Sequence, residues 1–146
     1  MATVETILKN KGHTVISVTP NATILEALKL MSIKQVGAVL VMDGDKVEGI
    51  FSERDYARRG TILGNPESTL IKEVMTQKVY YVSPEQSAET CMAQMTDKHI
   101  RHLPVVKASK VVGVISIGDV VKTVLNDKDE LIIGLENYMV GQDFKQ

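Results

Sequence analysis

Two stretches of this chain carry matching residues at one constant separation, and this repeat constrains the fold more than any other feature. When residues 15–58 are set against residues 79–122, an offset of 64 without a gap, eleven of 44 positions are identical. The matches include a strand-to-helix corner, GIFSERD at 49–55 and GVISIGD at 113–119. A repeat of this length predicts two copies of one supersecondary unit that share a core.

Each copy has the pattern of a β-α-β-β-α unit. A β-rich run ends at Pro20 or Pro84, where a strand stops. An amphipathic helix follows, with apolar residues at i, i+3, i+4 and i+7. Two more strands, joined in the first copy by the hairpin signal Asp43-Gly44, lead into the corner helix. The two apolar helix faces are Ile24, Ala27, Leu28 and Met31, and Ala88, Cys91, Met92 and Met95.

The predicted fold class is α/β (α+β), with helices and strands mixed in each repeat. One unit of this size buries too little surface to be stable alone. We therefore expect two units related by a pseudo-two-fold, with their sheets packed together and the helices outside. The predicted organisation is repeat 1 at 8–64, repeat 2 at 65–125, and a C-terminal helix and tail at 126–146. Residues 127–139 predict a separate terminal helix with an apolar face of Leu131, Ile132, Leu135 and Met139.

Composition excludes several classes of partner and compartment. The net charge of −1 and the pI of about 6.3 argue against a nucleic-acid partner, which usually needs a basic face. Cys91 is the single cysteine, so no internal disulfide forms and a reducing compartment fits. No signal peptide or membrane-length apolar run is present. The sequence predicts a cytoplasmic protein that binds neither membrane nor nucleic acid.

The repeat resembles a tandem pair of cystathionine-beta-synthase-type (CBS) domains, also called a Bateman module. The corner Gly-apolar-apolar-Ser-x-x-Asp, present twice, and the stretch RHLPVV at 101–106 carry the resemblance. It covers about residues 8 to 125. The resemblance implies a stand-alone regulatory module that binds an adenosine-containing ligand in clefts between the repeats. It also implies pairing into a homodimer through the helices, for which Tyr56, Val120, Val121 and Leu125 are candidate contacts.

The corner suits the phosphate and ribose of a nucleotide. A helix N-terminus offers free N–H groups to phosphate, and Ser52 and Ser116 would add hydroxyls there. A carboxylate only accepts hydrogen bonds, so Asp55 and Asp119 suit ribose hydroxyls, the role that the resemblance implies. A serine followed three residues later by an acidic residue is also a helix-capping pattern. Capping and binding are compatible, and both interpretations stay open.

Basic residues distinguish the two predicted clefts. By the resemblance, residues before the Leu-Pro-Val strand of one repeat reach a phosphate held by the other repeat. The cleft with more positive charge then combines Ser52, Arg54, Asp55, Arg101 and His102. The second cleft, with less positive charge, combines Ser116, Asp119, Gly37 and Ala38. It would hold a base or the nucleoside part of a ligand, or stay empty. Solvated helix surface is the alternative interpretation of the arginines.

Apolar side chains are expected to enclose the base. The candidates are Ile16, Val36, Tyr80 and Ile100, and each could equally belong to the core. Backbone groups at 37–38 and 101–102 could read the adenine edge.

The predicted function is regulatory sensing of an adenine nucleotide. AMP, ADP, ATP, NAD(H) and S-adenosylmethionine all fit the resemblance. A diphosphate suits Arg54 and Arg101 better than a sulfonium cation does. The alternative is a ligand-free dimeric adaptor that regulates an unidentified protein target. The histidines form no metal-ligand pattern with Cys91, and no acid–base pair indicates an enzyme, so neither a metal nor catalysis is predicted.

Overall fold

The computed structural model describes residues 2–60 and 62–144. Eleven helices and strands follow one another in this described part of the chain. In chain order they are α1 Val4–Lys11, β1 Ser17–Val18, α2 Ile24–Lys34, β2 Ala38–Asp43, β3 Lys46–Ser52, α3 Glu53–Arg59, α4 Ile71–Val74, α5 Ala88–Lys98, β4 His102–Lys107, β5 Lys110–Ser116 and α6 Ile117–Phe144.

The chain divides into two compact units, each built around one repeat. The first-repeat unit contains Thr14–Tyr80 together with Ser109–Val112. The second-repeat unit contains Met1–His13, Tyr81–Ala108 and Gly113–Gln146. The N-terminal helix α1 thus belongs to the unit of the second repeat, although it precedes the first repeat in sequence. The mixture of helices and small sheets confirms the predicted α+β class.

The first-repeat unit is a three-stranded sheet packed on α2. β1 pairs parallel with β2, and β2 pairs antiparallel with β3 across the Asp43-Gly44 turn. Gly44 has a φ of 62°, which a glycine adopts without strain. The α2 face is buried as predicted, with Ile24, Ala27 and Met31 at most 3% exposed and Leu28 partly buried.

The second-repeat unit repeats this plan with a shorter first strand. β4 and β5 form a two-stranded sheet. The predicted β-rich run before Pro84 contributes only an isolated parallel bridge between Val82 and Val105. The α5 face is confirmed, because Ala88, Cys91 and Met95 are buried and Met92 is partly buried.

In each unit the glycine of the corner strand packs against α1 or against the residues directly after α4. In the second-repeat unit, a Cβ added to Gly113 would lie 2.6 Å from Leu8 Cδ2 of α1. In the first-repeat unit, a Cβ on Gly49 would lie 2.6 Å from Met75 Sδ, just after α4, and 2.7 Å from the Thr76 carbonyl oxygen. The glycine of each corner therefore makes room for a packed neighbour.

The long C-terminal helix differs from its prediction. The corner helix and the separate terminal helix predicted from 127 onward are one continuous helix, α6. Leu131, Ile132 and Leu135 are more than half exposed within the described residues. The side chain of Met139 and residues 145 and 146 lie outside the described part. The described part of the apolar face predicted to dock is therefore exposed.

Of the residues predicted at a dimer surface, Val120 is instead buried in its own unit, and Tyr56 is partly buried in its own. Val120 is fully buried, and Tyr56 packs edge-on against Phe51 with ring centroids 6.3 Å apart. Val121 and Leu125 are exposed, at 36% and 55%. Helix periodicity explains why Val120 is buried and Val121 is exposed, because neighbouring positions of an amphipathic helix point in different directions.

Candidate functional site

The first corner joins the end of β3, the start of α3 and the segment before β2. Ser52 is the N-cap of α3, and its Oγ accepts a hydrogen bond of 3.1 Å from the Asp55 N–H. The Glu53 N–H donates to the Gly37 carbonyl over 2.9 Å. Ala38 pairs with Ser52 in the β2–β3 register. The structure thus brings Ser52, Gly37 and Ala38 together, and it confirms that Ser52 caps a helix.

The Asp55 side chain distinguishes this corner from an ordinary cap. It is partly buried, and its carboxylate makes no hydrogen bond or ion pair with any residue in the described part of the chain. Arg54, next to it, is also partly buried. A carboxylate that has no protein donor is available to a ligand hydroxyl.

The second corner has the same backbone plan. Ser116 Oγ accepts from the Asp119 N–H over 3.2 Å, and Asp119 Oδ2 accepts from the Ser116 N–H over 2.8 Å. The Ile117 N–H donates to the Arg101 carbonyl over 2.8 Å, as Glu53 does to Gly37 one repeat earlier. Arg101 is exposed and His102 is partly buried. Here the capping box is reciprocal, so the carboxylate itself is used.

A residue that the sequence pattern did not single out completes the second corner. Lys11, at the end of α1, places its Nζ 2.7 Å from Asp119 Oδ2 and 2.9 Å from the Val114 carbonyl oxygen. Burial alone would raise the pKa of Asp119, but the hydrogen bonds from Lys11 and Ser116 and the Lys11 charge outweigh it, so that pKa lies below its ordinary value. No local sequence motif predicts this contact, because the two partners are 108 residues apart.

The residues predicted to enclose the base are partly buried, not fully exposed. Ile16 and Val36 pack against the buried cluster of the first-repeat unit, so both contribute to its core. The Tyr80 ring lies under Lys78, whose Nζ is 5.5 Å from the ring centroid. Ile100 follows the left-handed C-cap of α5, as Val36 follows that of α2. Their role toward a base stays a prediction.

An open cavity of about 370 Å³ lies beside the first corner, within the first-repeat unit. Two predicted residues, Val36 and Gly37, contribute to its wall. The complete lining is Leu28, Met31, Ser32, Gln35, Val36, Gly37 and Glu53. Its volume falls within the range of small-molecule sites.

The predicted cleft residues divide between the two compact units. Ser52, Arg54 and Asp55 lie in the first-repeat unit, whereas Arg101 and His102 lie in the second-repeat unit. Their combination into one cleft therefore stays a prediction. In the described residues, no group of three His, Cys, Asp or Glu side chains is arranged to hold a metal ion.

Comparison with known proteins decides the family. The family model described as the CBS domain matches residues 11–60 and 71–126. The chain belongs to the CBS-domain family. The resemblance to a tandem pair is thereby confirmed, and both corners lie within matched segments.

Relatives of this CBS pair extend over most of its length. The CBS domain-containing protein CBSX3, mitochondrial, of Arabidopsis thaliana is 34% identical over 149 residues, covering 95% of this chain and 72% of the relative. The crystal structure of the CBS domain NE2398 has a TM-score of 0.82 and 41% identity, covering 85% of this chain and 98% of that one.

A more distant structure shares the fold alone. The CBS domain pair of protein MJ0100, solved in complex with 5′-methylthioadenosine and S-adenosyl-L-methionine, is 22% identical with a TM-score of 0.76. The match covers 87% of this chain and 98% of that chain.

None of the helices in the described residues is long and apolar enough to cross a membrane.

Proposed function

We propose that this CBS pair is a regulatory module that binds an adenine nucleotide, AMP, ADP, ATP or NAD(H), in the cleft between its repeats. The complex of MJ0100 with two adenosine-derived ligands supports the adenosine part of the proposal. The basic residues support the phosphate part, because a cationic sulfonium gains nothing from Arg54 and Arg101. We propose no catalytic activity for the module.

One observation carries the proposal: Asp55 is a partly buried residue whose carboxylate has no hydrogen-bond donor among the described residues. A carboxylate that no protein group uses can accept hydrogen bonds from two ribose hydroxyls. Ser52, three residues earlier, offers a hydroxyl beside the same helix start. In this arrangement Asp55 holds the ribose and Ser52 joins the phosphate contacts.

The phosphate is proposed to meet positive charge from both repeats. Arg54 follows Ser52 by two residues, and Arg101 and His102 precede the Leu-Pro-Val strand of the second repeat. Charge-assisted hydrogen bonds from guanidinium groups to phosphate are about twice as strong as neutral ones. A diphosphate is therefore expected to bind more tightly than adenosine alone.

Thermal unfolding against AMP, ADP, ATP, NAD, NADH and S-adenosylmethionine tests the proposal. A ligand at ~100 times its Kd adds about 2.7 kcal/mol to the free energy of unfolding. The Asp55→Ala variant should lose this gain while staying folded. A shift caused by none of these ligands at millimolar concentration would favour the adaptor function instead.

A matched pair of serine variants separates binding from capping. Ser52 and Ser87 are both N-caps whose Oγ accepts from the N–H three residues later, over 3.1 Å in each case. Each alanine variant should lose about 1 kcal/mol of stability through the lost cap. Only Ser52→Ala should also weaken nucleotide binding. Equal loss of binding in both variants would refute a phosphate contact at Ser52.

We further propose that the module forms a homodimer, a state shared with the alternative function of a ligand-free adaptor. The exposed apolar side chains of α6, among them Leu125, Ile132 and Leu135, support self-association. Exposed apolar surface of this kind is typical of interaction sites. Light scattering coupled to size exclusion measures the mass directly, and a monomer at micromolar concentration would refute the dimer.

The cytoplasmic location and the unidentified protein target stay proposals. The name of the Arabidopsis relative includes a mitochondrial location. Subcellular fractionation of the native protein would locate it. Capture with purified module, with and without the bound nucleotide, would show whether a target responds to the ligand.

A further inference from the structure

The two corners share their backbone plan but differ in what their aspartates touch. The Asp55 carboxylate makes no hydrogen bond or ion pair with a described residue, whereas Asp119 Oδ2 accepts from both Lys11 Nζ and the Ser116 N–H. An oxygen of a carboxylate has two acceptor positions on its lone pairs. Both positions on Asp119 Oδ2 are therefore in use, and paired binding of two ribose hydroxyls across both oxygens is blocked.

The contact that fills the second corner arises from a difference between α1 and α4. After the four-residue helix α4, the chain extends, and Thr76 exchanges backbone hydrogen bonds with Ile50 over 2.9 and 3.0 Å. Val114 is the equivalent of Ile50 one repeat later. Helix α1 has eight residues and ends at Lys11, whose side chain donates to the Val114 carbonyl where the Thr76 backbone N–H donates to Ile50.

Two acceptors hold the Lys11 ammonium in place. Its Nζ donates to the Val114 carbonyl over 2.9 Å and to Asp119 over 2.7 Å. The Lys11 side chain retains 38% of its exposure and the Asp119 side chain 25%. An exposed lysine with one ionic contact contributes little, but a second acceptor on a fixed strand restricts this one to a single position. A ligand ribose that uses both oxygens of Asp119 would have to displace it.

We infer that Lys11 closes the second corner, so that each chain binds one nucleotide, at the first corner. The inference rests on the proposed nucleotide binding and assigns Lys11 as the residue that makes the two equivalent corners unequal. Lys11 acts by occupying the carboxylate of Asp119 and has no contact with the bound nucleotide.

Equilibrium dialysis with ATP, AMP and NADH as probes tests the inference by counting bound molecules per chain. We expect one per chain in the wild-type protein and two in Lys11→Met, which keeps the length of the side chain and removes its charge. Lys9→Met is the matched control: this exposed lysine is on the same helix and makes no side-chain hydrogen bond or ion pair with the described residues of its unit. It should bind one nucleotide per chain.

The outcomes separate this inference from the proposed function. Binding of one nucleotide by both the wild-type protein and Lys11→Met would overturn the role of Lys11 and leave the proposed function standing. Two nucleotides on the wild-type chain, or weaker binding by Lys11→Met, would overturn it as well. No binding by either protein would overturn both proposals.

A measurement on the wild-type protein decides the question if Lys11→Met does not fold. In a ¹H–¹⁵N spectrum, saturating ATP should shift the amide resonances of Ser52 and Asp55. Those of Ser116 and Asp119 should stay in place. A shift of the second pair as large as that of the first would show that the second corner is open in the presence of Lys11, and would overturn the inference.

Discussion

Substituting the corner glycine Gly49 by alanine should destabilise the fold without any change at a binding group. An added Cβ would lie 2.7 Å from the Thr76 carbonyl oxygen and 2.6 Å from Met75 Sδ. The Met75 side chain can turn away. The Thr76 carbonyl cannot, because it accepts the Ile50 N–H over 3.0 Å in the bridge that anchors this segment to β3.

The size of the effect follows from two opposing contributions. Overpacking by one methyl in a close-packed region costs about 1–3 kcal/mol. Replacing glycine also restricts the unfolded chain, which returns about 0.4–1 kcal/mol. Gly49→Ala should therefore lower the free energy of unfolding by roughly 1–2 kcal/mol, or several degrees in Tm.

A second glycine provides a control with the same chemical change. Gly134 lies in the exposed part of α6, and a Cβ there would meet nothing within 4 Å. Gly134→Ala should raise stability by up to about 1 kcal/mol, because alanine is the better helix former. Urea unfolding followed by far-ultraviolet circular dichroism measures both variants. If Gly49→Ala unfolds at the same urea concentration as Gly134→Ala, close packing does not explain the glycine of the corner.

Three further results are expected. The lowered pKa of Asp119 contributes stability that is present above the ordinary value of 3.8 and is lost as pH falls through the lower folded value. The free energies of unfolding of Lys11→Met and wild type, measured in urea, should therefore converge in acid. A constant difference at all pH values would contradict the ion pair. Cys91 is fully buried, and burial raises its pKa to about 11. Ellman's reagent should therefore label it only after urea unfolding. Rapid labelling of the native protein would contradict its place in the core. Replacing Ile132 by Glu should reduce the mass seen by light scattering if the exposed face of α6 holds the dimer, with Lys128→Glu as the control for charge; an unchanged mass would exclude this face.

Much of the fold was accessible from the sequence because the repeat and the helix period reinforce each other. Ile24, Ala27 and Met31 lie at helical spacing, and their equivalents one repeat later are buried in the same way. The first strand of the second repeat was overestimated, since residues rich in β propensity there form only the Val82 bridge. Propensity describes what a half-buried strand tolerates and does not determine how many pairs it forms.

The continuity of α6 was missed because a charged stretch was interpreted as a new helix start. Asn126 and Asp127 resemble a cap, but the preceding turn is already helical and contains no Gly or Pro to end it. Asp127 instead accepts the Ala2 N–H over 3.1 Å. A helix that is already formed continues through such residues because propagation adds a hydrogen bond for each residue fixed.

The candidate site was predictable in its repeated part and not in its asymmetric part. Ser52 and Ser116 follow from the corner pattern, and both cap helices as the pattern indicates. Lys11 follows from no pattern, because its partner is brought to it only by the packing of α1 on the second-repeat unit. Lys11 lies outside the repeated positions 15–58 and 79–122, so the comparison of the two repeats gives no information about it.

The position of α1 has a consequence for the order in which the chain acquires structure. Val4, Ile7 and Leu8 are buried in the second-repeat unit, whose remaining residues begin about seventy positions later. On the ribosome this helix is made before the second repeat and has no partner until that repeat has been made, whereas α4, which belongs to the first-repeat unit, follows that repeat directly in sequence. The first repeat can therefore fold during synthesis. The second must wait for a contact of high sequence separation, and it is expected to be the slower step in refolding.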